Sequence, residues 1–203
     1  MMLFLKGDFA ACSPEIKEWD EPVIRTRSDG TKVVGRPSRG FGDAAFNYAG
    51  KFMQPEPWSN NKEVFWLKQY AEDMLLAEHG IKANFDFCLA GYYPDGETGI
   101  MHHSDTVPTL DDLVLSMSFG AARLFVQRDY QSNVKAVTNT SNLFDMTGKP
   151  CMDTYYVMEH GDAILFDGYS QMTSTHDVPV APKAGPRVNL TFRTGMTLGN
   201  TNG

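Results

Sequence analysis

The stretch from Gly91 to Asp105 ends in His103-Ser104-Asp105, and that spacing constrains the chain more than any other feature. In an extended segment, side chains two residues apart point to the same face, so this imidazole and carboxylate are presented together to one metal ion. A third ligand completes the two-His-one-carboxylate facial arrangement, which suits non-haem Fe(II) and leaves coordination positions open. The candidate is His176, within Ser174-Thr175-His176-Asp177-Val178-Pro179. Just beyond it, Arg187-Val188-Asn189-Leu190-Thr191-Phe192-Arg193 sets two arginines and an Asn on one strand face at even spacing, as recognition of a dicarboxylate requires. His102 alternates to the face opposite His103 and has no acid two residues on, so it reads as an edge or supporting residue. His160, at a Gly-Asp turn, reads as structural.

The rest of the chain is β-rich, with one helix. After a short leader strand and polar connector over residues 1–20, Val23–Arg27 and Thr31–Val34 flank Ser28-Asp29-Gly30, a hairpin signal. Arg25, Arg27, Lys32, Arg36 and Arg39 make this region the most basic of the chain, against the single acid Asp29. Residues 40–58 are rich in glycine and aromatics. Asn60 with Glu63 reads as a capping box, and Val64, Leu67, Ala71, Met74 and Leu75 recur at helical spacing up to Gly80. Beyond it come strand-like runs at Phe85–Leu89, Leu113–Gly120, Leu124–Val126, Tyr155–Met158 and Ala163–Phe166, with a polar loop or hairpin over 130–153. Many short strands with turn signals predict a sandwich or barrel.

The aromatic-Pro-Asp-Gly turn at Tyr93–Gly96, the H-x-D at His103–Asp105, the distal His176 and the R-x-N-x-T-x-R run from Arg187 occur in that order. The set resembles the AlkB family of Fe(II)/2-oxoglutarate dioxygenases, oxidative demethylases of nucleic acids; Phe41–Ala44, Tyr48 and Pro57-Trp58 agree with its substrate-side segment. The resemblance covers roughly residues 36–195. It implies a mostly β (α+β) fold: a double-stranded β-helix (jelly roll) core with an N-terminal helix and a substrate-lid hairpin. A single domain over 1–203 is expected, with 1–82 as an N-terminal extension carrying lid hairpin and helix, 83–195 as the jelly-roll core and 196–203 as a loose tail. The implied cofactors are Fe(II), 2-oxoglutarate and O2, with His103, Asp105 and His176 as catalytic metal ligands. Tyr93, Arg187, Asn189 and Arg193 are the implied cosubstrate residues. Tyr48, Arg25, Arg27, Arg39 and Thr106 are the expected substrate contacts. The chain departs from the family at Gly91, where an Asn is usual, at Thr106 and Val107, where an acidic residue is common, and at Gly50, where some relatives carry a further aromatic.

The implied reaction is hydroxylation, then formaldehyde release, on N-alkylated bases of single-stranded DNA or RNA. A hydroxylase of a small molecule, free nucleotide or protein side chain is the alternative, and a non-catalytic jelly-roll binding module is another. A net charge of −7 has the wrong sign for a protein coated in nucleic acid, so binding would fall to the basic hairpin. Three cysteines, Cys12, Cys88 and Cys151, share no metal-type spacing and fit a reducing compartment. A monomer is expected, cytoplasmic (or nuclear in a eukaryote), without a membrane span or signal peptide.

Overall fold

The computed structural model describes residues 1–26, 30–48, 51–105, 107–130 and 151–199. The chain opens with β1 (Met2–Leu5), the hairpin of β2 (Ile24–Thr26) and β3 (Lys32–Val34), β4 (Ser38–Gly42), and a second hairpin of β5 (Phe46–Tyr48) and β6 (Lys51–Met53). A 3-10 turn leads into the helix α1 (Lys62–His79). There follow β7 (Phe85–Tyr93), β8 (Ile100–His103), β9 (Leu113–Gly120), β10 (Arg123–Asp129), β11 (Met152–Met158), β12 (Ala163–Asp167) and the short helix α2 (Gly168–Thr173). β13 (Ser174–Val178), β14 (Arg187–Thr194) and the terminal turn α3 (Met196–Gly199) complete the order.

Two antiparallel sheets form the body. The larger runs β1-β12-β9-β14-β7-β4 and the smaller β11-β10-β13-β8. β14 lies between β7 and β9, and its even spacing of side chains splits two environments. Leu190 and Phe192 face outward with Leu115, Met117, Cys88 and Phe41, where Val64, Leu67, Ala71 and Leu75 of α1 cover them. The opposite face carries Tyr93, Val114, Ile164 and Phe166, packed on Phe125, Met158 and Val178 of the smaller sheet. The layers are therefore helix, large sheet, small sheet. This is the mostly β architecture expected, with two qualifications. β1 and β4, assigned to an N-terminal extension, are the edge strands of the large sheet itself. Part of the expected loop, 131–150, lies outside the described residues.

The helix boundaries show which local signals decide. Gly80 adopts φ 67°, and its N–H donates to the Leu76 carbonyl at 3.1 Å, closing α1 in the left-handed conformation that glycine tolerates. At the other end the cap is Asn61, not Asn60. The Asn61 side chain accepts from the Val64 N–H at 2.9 Å, while Asn60 belongs to the preceding 3-10 turn. The aromatic block before the helix is divided: Phe41 and Trp58 are buried, the Trp58 indole N–H donating to Asp43 at 2.9 Å, while Phe52 is exposed. The cap register can be tested. Asn61→Ala should cost about 1 kcal/mol of stability in urea unfolding, whereas Asn60→Ala should leave the midpoint nearly unchanged; the reverse order would return the cap to Asn60.

A candidate metal centre between the two sheets

β8 and β13 pair antiparallel with His103 directly opposite His176, so two imidazoles from distant parts of the chain share one face of the small sheet. Their ring centroids are 4.4 Å apart. Asp105 lies just past the end of β8. Its backbone N–H donates to Gln171 Oε1 of α2 at 2.8 Å, which fixes the turn that brings its carboxylate back to the histidines. The Asp105 carboxylate is 3.5 Å from His176 Nε2 and 4.0 Å from His103 Nε2. One ligand atom from each of the three residues falls within 4.8 Å of the others.

The electrostatics set the protonation states that a divalent cation requires. His103 Nδ1 lies 2.9 Å from the Met101 carbonyl. A proton on Nδ1 satisfies that contact and leaves the Nε2 lone pair facing the centre. His176 is buried, stacked on Phe125 at 5.0 Å between centroids and flanked by Phe166 at 5.3 Å. Burial above all, then the charge of His103, pushes its pKa down to about 3, so it is neutral. Burial likewise lowers His103. For Asp105, burial works to raise the carboxyl pKa, yet Arg193 and the two histidines together hold it well below the usual carboxylate range. The result is two neutral nitrogens and one ionised carboxylate, the donor chemistry of a non-haem Fe(II) site.

Behind the centre, β14 contributes a polar face. Arg187 is buried at 2 % exposure. Its Nε donates to Ser118 Oγ at 2.7 Å, its Cζ lies 4.7 Å from the centre of the Tyr93 ring, and it hydrogen-bonds Tyr93. Arg187 Nη1 is buried with no hydrogen-bond partner among the described residues, an opening for a carboxylate oxygen. Asn189 is placed differently from a free ligand-binding amide: its Nδ2 donates to Ser116 Oγ at 3.0 Å and the Met117 carbonyl at 2.6 Å, and its Oδ1 accepts from Thr191 at 3.2 Å. Arg193 is buried and its Nη2 donates to Asp105 Oδ1 at 2.7 Å, so its first partner is the metal-site carboxylate.

The remaining expected contacts divide. Arg39 is not brought to the centre. It sits opposite Ala90 on β4, so alternation sends it to the helix side of the large sheet, where it pairs with Asp20 at 3.1 Å, with Glu18 at 3.6 Å, and with Glu56. Arg27 and Thr106 lie outside the described residues, as do the side chains of Arg25 and Tyr48, whose backbones belong to β2 and β5. His102 faces away from His103, within 3.5 Å of Asp177, and His160 accepts from the Gly120 N–H at 3.1 Å. Sequence reasoning missed Gln171, the aromatic wall of Phe125 and Phe166, and the buried Arg123; Arg36, counted with the basic hairpin, is buried as well. Arg123 ties the turn after β7 to the start of the β13–β14 link by donating to the carbonyls of Asp95, Thr98 and Pro179. None of these has a motif; only the fold juxtaposes them.

A model of the 2OG-Fe(II) oxygenase superfamily matches residues 37–193. The chain belongs to that superfamily. No curated protein matches the oxygenase in sequence. Among solved structures its fold matches that of OsALKBH1, with a TM-score of 0.52 and 17% identity, over 95% of this chain and 97% of that one. At that identity the likeness is one of fold, and it agrees with the AlkB-type resemblance of the motifs. The oxygenase uses Fe(II), 2-oxoglutarate and O2, and both the donor set and the open Arg187 Nη1 fit those groups. No helix of the described residues is long and apolar enough to cross a membrane.

Two predictions follow from this geometry. His103→Ala and His176→Ala should abolish Fe(II) or Mn(II) binding in calorimetry while the protein stays folded. Asp105→Ala should lose the metal and also about 1.5–3 kcal/mol of stability, because it removes a charge-assisted bond to buried Arg193; an Asp105→Ala protein as stable as wild type would show that this bond adds nothing to the fold. In the metal-free protein the unfolded His176 titrates near 6.5 and the folded one near 3. Between those values the unfolded chain binds more protons, so stability falls as the pH drops through that window, and the depressed Asp105 adds a further loss at its acid end. Urea midpoints should therefore be lower at pH 5 than at pH 7, with a smaller difference in His176→Ala.

Proposed function

We propose that this oxygenase removes N-alkyl groups from nucleobases in single-stranded DNA or RNA, hydroxylating the carbon on nitrogen so that the product releases formaldehyde. The observation that carries the reading is the pair of short hairpins, β2–β3 and β5–β6, added to the oxygenase frame outside its two sheets. On the first, Ile24 and Val34 are cross-strand partners and both are 62% exposed; on the second, Phe52 is 63% exposed. Two-stranded ribbons do not form to bury such groups on their own, and apolar side chains presented beside cationic ones suit unstacked bases with their phosphates. Arg25, Arg27 and Lys32 supply the cations, and Tyr48 the ring on which a base is stacked. The AlkB-type order of motifs supports the same substrate class.

The residues of the chain then divide the work. His103, Asp105 and His176 hold the iron, and Arg187 with Tyr93 receives the far carboxylate of 2-oxoglutarate. Phe125 and Phe166 keep water from one side of His176. Arg193 keeps the Asp105 carboxylate ionised and aimed. Iron, 2-oxoglutarate and O2, once bound, would supply the oxidising power: one oxygen atom of O2 would end in succinate, formed with loss of carbon dioxide, and the other in the hydroxyl on the substrate carbon.

A second reading, a hydroxylase of a small substrate, draws on one observation. Two of the cations counted toward the basic element are engaged elsewhere: Arg39 pairs with three carboxylates and Arg36 is buried. What remains is a small basic element on a chain of net charge −7. The experiment offers iron-loaded protein a panel of N-methylated single-stranded oligonucleotides and measures methyl loss by mass spectrometry beside succinate formation. Demethylation is expected. In the Arg25→Glu/Arg27→Glu variant it should fall at least tenfold at moderate salt, because phosphate contacts are lost, with succinate formed in the absence of oligonucleotide unchanged. Consumption of no oligonucleotide by an active wild type would hand the reading to the small substrate.

A further inference from the structure

The link between β3 and β4 sends Arg36 inward. It is 7% exposed, although it belongs to the stretch that the sequence marks as a basic surface hairpin. Its guanidinium lies against Gly91 of β7. A Cβ at that position would come within 3.0 Å of Arg36 Cζ and 3.1 Å of Cδ, and nearer still to Nε. Gly91 has no left-handed backbone to account for the residue choice. The glycine is there because the guanidinium takes the space of its side chain. Gly91 pairs with Asn189 and with Ser38, on the face of the large sheet that carries Arg187 and Tyr93.

From that seat Arg36 looks onto the cosubstrate pocket. Its Cζ is 5.1 Å from the centre of the Tyr93 ring, the same ring that Arg187 approaches at 4.7 Å. Arg123 is a third guanidinium over that ring, at 5.6 Å, and is held by backbone carbonyls. Guanidiniums gathered on one buried ring repel each other, and a dianion seated beside Arg36 and Arg187 offsets that repulsion. A polymer phosphate does not reach a residue buried this deeply, whereas a small dicarboxylate inside the pocket does.

We infer that Arg36 is a second cosubstrate-binding cation, contacting a carboxylate of 2-oxoglutarate from the position that a side chain at residue 91 would otherwise occupy. The inference rests on the reading of the pocket beside Arg187 as the seat of the cosubstrate. It makes Arg36 and Gly91 a matched pair: a larger residue at 91 is compatible with the fold once the guanidinium is gone.

The test uses N-oxalylglycine, a non-reacting dicarboxylate analogue of 2-oxoglutarate, titrated calorimetrically into Mn(II)-loaded protein. Arg36→Met keeps most of the apolar stem and should weaken binding at least tenfold, with Mn(II) affinity and stoichiometry unchanged. Arg36→Lys, which retains a charge without the fork, should fall between the two. Arg36→Ala/Gly91→Asn should bind more tightly than Arg36→Ala alone, because an amide re-enters the vacated space. A folded Arg36→Met protein with wild-type affinity, beside an Arg187→Leu protein that has lost it, would overturn the role of Arg36 and leave the pocket where it is. Wild-type affinity in Arg187→Leu as well, or no binding by wild type at all, would overturn the pocket reading and the Arg36 inference with it.

Discussion

The bond from Arg193 Nη2 to Asp105 Oδ1, 2.7 Å long, joins residues 88 positions apart and ties the two sheets through the metal site. Arg193 is on β14, in the middle of the large sheet; Asp105 follows β8, at the edge of the small one. Charge-assisted bonds of this kind are strong in a dry setting, and stranding either partner there is costly. The pair does two things that neither residue does alone. It keeps the carboxylate ionised despite burial, and it holds the loop after β8 against the large sheet, which Gln171 secures from the other side. A bound cation would add to a charge balance that already exists rather than create one.

The histidines are kept neutral chiefly by burial. His176 lies between two aromatic rings, and its neutral form is the one the surroundings favour. A metal ion entering at neutral pH therefore displaces few protons, and its affinity is limited mainly by geometry. The geometry is provided by strand pairing. His103 faces His176 because β8 and β13 share a register, and the irregularity between His176 and Val178 lets the strand bend just beyond the ligand.

How far these features can be read from the chain depends on how local their cause is. The same-face placement of His103 and Asp105 follows from spacing alone, and α1 follows from its periodic apolar residues and Gly80. The ligand role expected of His176 needed the ordered set of motifs, since nothing within the strand Ser174–Val178 distinguishes it. Asn189 shows the limit of such carry-over: its position fits a ligand-binding face, but its amide is bonded within the sheet. Charge counting failed for Arg36 and Arg39 because it ignores which way a side chain turns. The direction of Arg39 is set by β4 pairing with β7, a contact between residues some fifty positions apart, Arg39 with Ala90, and Arg36 lies in the link just before that strand. Gln171 and Phe125 carry no signal at all, being ordinary residues made important by neighbours.

The alternation of β14 is what lets one strand serve both the core and the chemistry. Leu190 and Phe192 anchor the helix layer, while Arg187, Asn189, Thr191 and Arg193 turn to the space between the sheets. A slip of one residue would exchange the two sets, driving guanidiniums under α1 and apolar groups into the site, so the register is fixed by both faces at once. The polar set is tolerable only because its members satisfy one another: Ser118 takes Arg187, Ser116 and Met117 take Asn189, and Asn189 takes Thr191. Within this mutually bonded row, Arg187 Nη1 is buried and has no hydrogen-bond partner among the described residues. An unmet buried donor costs free energy in the ligand-free protein. A carboxylate arriving at Arg187, as the proposed function has it, would remove that cost as well as add its own bond, so a strand bonded along most of its polar face would leave its binding strength at the one open donor.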